Sequence, residues 1–271
     1  MSRRRKRHVS KRVKNLRKGI AVGVVVICAI VFFASAISLA EILMEYGKAS
    51  DFYDDLKDTA VLPSDTEDDP HQQHADELMA TFDALKAEYP NVIGYINIPA
   101  VSIAYPVVQG EDNQYYTTHL ISGEESTSGS IFLDFRVASD PSSAPNLVVY
   151  GHSMNNKTMF YRIRDLFDQK TFFMGWVEYV CDSGVYRYTP FSVYVSTTED
   201  PYYTYQFSDG ETLAFFCGDR LGKSRFVYTE DYDENSHLIT LVTCSNSISN
   251  PDERYIYHAI LTEYYPRTVQ E

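Results

Sequence analysis

The apolar positions along the chain follow three patterns in turn. Residues 19–40 (GIAVGVVVICAIVFFASAISLA) are twenty-two consecutive uncharged, mostly apolar positions. As a helix rising about 1.5 Å per residue they extend roughly 33 Å, enough to cross a bilayer core. Residues 41–57 (EILMEYGKASDFYDDLK) can continue that helix as a stalk. Residues 58–74 (DTAVLPSDTEDDPHQQH) combine proline and acids with few large apolar groups, the composition of a flexible linker. Residues 76–85 (DELMATFDAL) return to helical spacing. That helix must stop ahead of Pro90, because the residue before a proline is pushed out of the α region.

From Val92 the spacing becomes β-like. VIGYINIP, SIAYPVVQ, GSIFLDFR, NLVVYGH, WVEYVC, VYRYTPFSVYVST, HLITLVTC and YIYHAILTEY are short runs rich in β-branched and aromatic residues, separated by Gly, Pro, Asn, Asp and Ser. The DSG at 182–184 predicts a hairpin turn. Helical interruptions are expected over 158–168 (TMFYRIRDLFD) and roughly 209–217. Eight strands with few helices predict a mostly β fold, a closed eight-stranded barrel, which also removes exposed sheet edges. No period of 20–50 residues recurs, which excludes solenoids and propellers. The expected organisation is a basic tail (1–18), a span (19–40), a stalk and acidic linker (41–74) and one catalytic domain (75–271).

Charge orients this plan. Ten of the 24 Lys and Arg fall within residues 1–18, which hold no acid; the remaining 14 face 37 Asp and Glu, a formal −23. A basic flank ahead of an apolar span places the N-terminus in the cytoplasm and the acidic bulk on the extracellular face. The alternative is a cleaved signal peptide, with Ala34-Ser35-Ala36 as the A-x-A site; the apolar run exceeds the usual ~7–15-residue core of such signals, which favours a retained single-pass membrane anchor. Basic residues abutting the span serve topology and anionic lipid. The acidic remainder argues against nucleic acid as a partner, and the 22 Tyr and 15 Phe read as core and surface of the barrel.

Beyond Cys28 in the span, only Cys181, Cys217 and Cys244 remain. Three thiols make no disulfide framework, and none has zinc-ligand spacing. Cys181 (WVEYVC) and Cys217 (LAFFC) sit in apolar contexts that predict buried, inert thiols. Cys244 ends a strand, Arg254 opens the next, and His152 follows NLVVYG. If the last two strands are antiparallel, the connection 245–253 brings Cys244 and Arg254 to one end of the barrel; His152 joins them only by assumption. A thiol of ordinary pKa near 8.5 is only a few per cent ionised at pH 7. An imidazole can pair with the thiolate or protonate a leaving amine, and a guanidinium can meet a developing oxyanion. By residue type alone His119, His237 and His258 serve equally, Cys244 reads as well as a structural thiol, and Arg254 as a solvated charge.

TLVTC with an arginine ten residues after the cysteine, and VVYGHSM upstream, resembles the sortases, cysteine transpeptidases of Gram-positive surfaces. VIGYINIP, YPVVQGEDNQYY, GSIFLDFR and YGHSM..KTMF are similar to class B in particular, over roughly 75–265. The resemblance implies an eight-stranded sortase-type barrel with N-terminal helices and a helix in the long connection before the cysteine strand. It implies Cys244 as nucleophile, His152 as general acid and base, and Arg254 as the group positioning oxyanion and substrate, with Thr243 and Asn113 as substrate contacts. It implies secreted proteins bearing a C-terminal sorting signal as substrates, a thioacyl enzyme, an amine of the peptidoglycan precursor as acceptor, and no metal or organic cofactor. Val242 departs from the serine usual in TLSTC, and Ser153 from the asparagine of GHNM. The rival readings are a hydrolytic cysteine peptidase, although papain-like enzymes place Cys before His, and an inactive surface binding module.

Overall fold

In a computed structural model, residues 11–58, 70–207, 212–244 and 250–267 are described. The chain divides into two units, 1–47 and 48–271. In the first lies most of α1 (Lys11–Asp58), one continuous helix. It is long and apolar enough to cross a membrane, and its apolar side chains from Ile20 to Leu43 are exposed.

The second unit is a closed barrel. Its strands are β1 (Val92–Ile98), β2 (Ile103–Gln109), β3 (Ile131–Leu133), β4 (Asn146–Tyr150), β5 (Val177–Cys181), β6 (Gly184–Thr197), β7 (Leu238–Cys244) and β8 (Glu253–Pro266). Each matches one of the eight expected runs, β6 starting one residue earlier at Gly184 and β8 extending two residues beyond its run at either end. The order around the barrel is β1-β2-β3-β4-β7-β8-β6-β5. Two neighbours are parallel, β2 with β3 and β4 with β7; the other pairs are antiparallel. Cys181 pairs with Gly184, so the DSG turn is a two-residue hairpin, with φ of 149° at Gly184 where Gly pays no steric penalty. The residues of β3 and β5 are buried throughout, and β7 from Leu238 to Thr243 likewise. Such strands read as unbroken apolar runs because both faces are covered.

The helices differ from expectation at their edges. The acidic linker was expected through residue 74, but α2 (Pro70–Glu88) already begins within it; 59–69 lie outside the described residues. Proline fits the first turn, where its missing N–H costs nothing. Ala75, Leu78, Met79, Phe82 and Leu85 form the buried face of α2, and His74 is tied to the buried Glu178 of β5 at 3.0 Å. The interruption at 158–168 is a 3-10 helix over Phe160–Phe167, followed by the short α3 (Gln169–Phe173). The helix expected over 209–217 is α4 (Leu213–Lys223), with 208–211 outside the described residues. Thr212 caps it, its side chain accepting from the Phe215 N–H at 3.2 Å, and α4 then runs through Gly218 and Gly222. Its Leu213, Phe216 and Cys217 pack on Phe191, Leu238 and Ile260. This outward face of β7, at Leu238, is the face that Cys244 shares, since alternate residues of a strand point the same way.

Candidate active site

Strand register builds the site. In the antiparallel β7–β8 pair Cys244 lies directly opposite Arg254. Directly opposed side chains share a face, with Cβ atoms about 4.5–5.5 Å apart. In the parallel β4–β7 pair Tyr150 lies beside Val242, and the Gly151 N–H continues the ladder to the Val242 carbonyl at 3.2 Å. His152 and Cys244 are each two residues beyond that pair, at the same end of neighbouring strands. The assumption needed to place His152 is thus replaced by a parallel pairing. All three side chains line one cavity of about 360 Å³, with Asn113, Thr117, Tyr150, Thr198, Tyr202 and Thr243 among the other walls.

Burial runs from complete to partial as β7 reaches this cavity: Thr243 is 2 % exposed, and Cys244 is half-buried. Cys181 and Cys217 are buried, and burial raises both thiols, that of Cys217 up to about 12. A thiol kept protonated and covered is a poor nucleophile. Of the three, Cys244 alone combines access with a cavity.

The His152 ring has a fixed orientation. Its Nε2 lies 2.8 Å from the Thr117 carbonyl oxygen, which can only accept, so Nε2 carries the proton and Nδ1 is left to exchange one. Gly151 is required beside it. A Cβ there would overlap the Ile131 side chain and stand 2.8 Å from the Phe160 ring. Arg254 is held by its Nη1, which donates to the carbonyls of Pro251 (2.8 Å) and Glu253 (3.0 Å). The Thr243 hydroxyl is buried, with no hydrogen-bond partner among the described residues. Val242 places an apolar side chain in the wall where a serine would offer a hydroxyl.

The remaining histidines have other surroundings. His258 is fully buried, and burial, followed by the charge of Arg220, holds its pKa well below the ordinary value. His237 bonds the Ala144 carbonyl at 2.9 Å. His119 stacks on Tyr115 with ring centroids 4.0 Å apart. None of these three lines the cavity.

Asn113 lines the cavity from behind a buried hub. Its Nδ2 donates to Asp134 at 2.9 Å and its Oδ1 accepts from the Phe135 N–H at 3.0 Å. Asp134 also receives the Tyr150 hydroxyl (3.2 Å) and a two-pronged bond from Arg136 (2.8 and 2.7 Å). Burial works to raise this carboxyl, but the bonds from Arg136 and Asn113 outweigh it and hold the pKa below the usual range. Sequence reasoning did not find Asp134, Thr117, Thr198 or Tyr202. The strand-end position of Thr198 was the only local signal, and it does not distinguish a cavity wall from a turn. Among the described residues no group of three or more His, Cys, Asp and Glu is placed to hold a metal ion.

Comparison with known proteins places this geometry. A family model described as the sortase domain matches residues 96–262. Sortase B of Staphylococcus aureus is 28% identical over 187 residues, covering 69% of this chain and 75% of that protein. The crystal structure of sortase B from Bacillus anthracis in complex with AAEK1 superposes with a TM-score of 0.67 at 26% identity, covering 82% of this chain and 100% of that one. A Staphylococcus aureus sortase B–substrate complex gives a TM-score of 0.63 at 27% identity, covering 71% and 93%. With over half its length matched and the same barrel around the cysteine, the chain belongs to the sortase family of cysteine transpeptidases, and within it to class B.

Proposed function

We propose that Cys244 is the nucleophile of this transpeptidase, His152 its general acid and base, and Arg254 the group that holds the oxyanion. One observation carries the reading: two strand pairings, parallel β4–β7 and antiparallel β7–β8, bring these three side chains to one cavity. The Cys244 thiol gives its proton to Nδ1 of His152, and the resulting thiolate attacks the carbonyl carbon of the scissile peptide. Arg254, immobilised through Nη1, presents the rest of its planar fork to the negative charge that develops on oxygen. As the C–N bond breaks, His152 gives a proton from Nδ1 to the leaving amine, and a thioester remains on Cys244. An incoming amine then attacks the thioester and loses its proton to the same nitrogen. The Thr243 hydroxyl, buried and without a partner among the described residues, supports a hydrogen bond to bound peptide, and the fixed amide of Asn113 supports a second contact.

The substrates in this reading are secreted proteins with a C-terminal sorting signal, and the acceptor is an amine of the peptidoglycan precursor. Residues 19–40 of α1 anchor the chain, with the ten basic residues of 1–18 in the cytoplasm and the catalytic domain on the extracellular face. The test uses the full chain in detergent with a quenched fluorescent peptide. The peptide carries the five-residue motif of a secreted protein from the same genome, one whose C-terminus continues into an apolar span and a basic tail. Mass spectrometry of products with and without triglycine distinguishes transfer from hydrolysis. The expected result is a triglycine adduct, lost in Cys244→Ala, and alkylation of Cys244 ahead of Cys181 and Cys217. Equal native labelling of all three thiols, or hydrolysis product alone at every amine concentration, would sink this assignment.

A further inference from the structure

Behind the loop 198–207, which contributes Thr198 and Tyr202 to the cavity, runs a buried polar chain that both begins and ends on that loop. On one side of Tyr202, the Asp200 carboxylate accepts from Arg220 of α4, from Ser196 Oγ at 2.7 Å and from Lys223 Nζ at 3.1 Å. On the other side, the Thr204 carbonyl accepts from Asn146 Nδ2 at 2.8 Å. Arg220 and Asn146 are joined through the barrel wall. Arg220 Nη1 reaches the Tyr194 hydroxyl at 3.2 Å, and that hydroxyl lies 3.2 Å from His258 Nε2. His258 Nδ1 is 2.8 Å from Thr240 Oγ1, which donates to Asn146 Oδ1 at 2.8 Å.

Every direction in this chain is fixed by chemistry. The amide oxygen of Asn146 only accepts, so the Thr240 proton goes to it. The Thr240 oxygen then accepts from Nδ1–H of a neutral His258, whose Nε2 accepts from Tyr194; the Tyr194 oxygen in turn accepts from Arg220. Arg220, Tyr194, His258, Thr240 and Asn146 are each no more than 3 % exposed. They come from α4, β6, β8, β7 and β4. Buried charge pairs are weak sources of stability next to apolar packing, and half-satisfied polar networks are costly. Arg220 Nε has no hydrogen-bond partner among the described residues, but every step from Arg220 Nη1 to Asn146 is made, and that gives the ends of the chain one geometry.

We propose that this chain is a positioning device for the substrate: Asp200 and Arg220 at one end and Asn146 at the other hold Tyr202 and Thr198 in the shape that binds peptide. The proposal rests on the cavity being the peptide site. Asp200 and Arg220 are positioning residues, since neither lines the cavity, and their loss acts on binding and not on the thiol.

The experiment is a double-mutant cycle with the same quenched peptide, reading kcat and KM separately, alongside the iodoacetamide rate at Cys244. Asp200→Asn is expected to raise KM about tenfold, with kcat within about threefold of the parent and the alkylation rate unchanged. Tyr202→Ala is expected to raise KM by itself. Adding Asp200→Asn in the Tyr202→Ala background is expected to raise KM by clearly less than it does in the parent, because the anchor's action through Tyr202 is already gone and only that through Thr198 remains. Lys223→Ala removes a partly exposed donor to Asp200 and keeps the test alive if Asp200→Asn does not fold; a KM rise of about threefold is expected. An unchanged KM in folded Asp200→Asn, or in Lys223→Ala where it is the fallback, overturns the proposal. So do fully multiplicative effects in the double mutant, or a joint fall of kcat and alkylation rate. If Tyr202→Ala leaves KM unchanged, the cavity assignment itself fails; if it raises KM and the anchor variants do not, only the positioning chain fails.

Discussion

Replacing Arg254 by lysine separates a role that depends on geometry from one that depends on charge alone. Lysine keeps the positive charge opposite Cys244 but exchanges a planar fork for a compact ammonium. The cost to folding follows from the two bonds that Nη1 makes to the Pro251 and Glu253 carbonyls. Each is worth about 0.5–1.5 kcal/mol net, and an ammonium at this half-exposed site recovers at least one of them. The loss of stability is therefore below about 1.5 kcal/mol, a fall in Tm of no more than about 6 °C for a domain of this size. The cost to catalysis is set by a different quantity. Removing one donor from an oxyanion typically lowers the rate about 10²–10³-fold, roughly 2.7–4 kcal/mol. The assay is kcat for peptide cleavage at 25 °C, with Tm from circular dichroism, for Arg254→Lys, Arg254→Ala and the control Arg225→Lys. Arg225 is exposed, lies outside the cavity and stacks on its neighbour Phe226. The expected pattern is a loss near 10²-fold for lysine, an equal or larger loss for alanine, small Tm changes, and a mild effect at the control. Turnover within about threefold of the parent for Arg254→Lys would falsify the oxyanion role and leave this arginine as a solvated strand-end charge.

Gly151→Ala forces a Cβ against Ile131 and the Phe160 ring; overpacking of this kind costs about 1–3 kcal/mol and shifts His152. A displacement near 1 Å can cost about 10²-fold, so kcat should fall ten- to hundredfold while Cys244 still alkylates, and an enzyme with full activity would show that the histidine needs no such seat. Stability against pH carries two opposed histidine contributions. His258 is kept neutral by burial among Tyr194 of β6 and Arg220 and Lys223 of α4, near Asp200; the unfolded chain binds its proton as pH drops below about 6.5 while the fold does not, so stability falls on the acid side. His74 is raised by its bond to Glu178, against burial and Arg187 and with help from Glu77; its contribution is fully present below about 6.5 and lost as pH rises through the folded pKa. Thermal melts of His74→Gln from pH 7.5 to 5.5 should therefore decline more steeply than the parent, and an equal or shallower slope refutes the opposition.

What the sequence made legible follows from where the information resides. The eight strands were readable because each is a local run of apolar and β-branched residues, as in LITLVTC. The pairing of Cys244 with Arg254 was readable because only a short connection separates them. The neighbour of β7 on its other side was not: Asn146 and Leu238 are about ninety residues apart, and nothing in either run says that they lie parallel. The start of α2 was missed because HQQH is polar and the face it buries begins only at Ala75. The end of α4 was missed because Gly218 and Gly222 read as breakers, while Arg220, between them, is anchored by Asp200 from outside the helix. Asp134 and Asp200 look like any loop acids until the fold buries them.

The order of strands around the barrel also has a consequence for the moment at which this enzyme comes into being. Without its last two strands the sheet runs β6-β5-β1-β2-β3-β4, an open ribbon whose two outer strands have unpaired backbone groups. Such edges invite pairing with other chains. The hairpin of β7 and β8 fills the gap between β4 and β6, and it is the same hairpin that carries Cys244 and Arg254. Closure over so long a stretch of chain is a slow, late kind of contact. A polypeptide still lacking these two strands therefore has no assembled pair of Cys244 and Arg254, and the step that removes its aggregation-prone edges is the step that brings that pair beside His152.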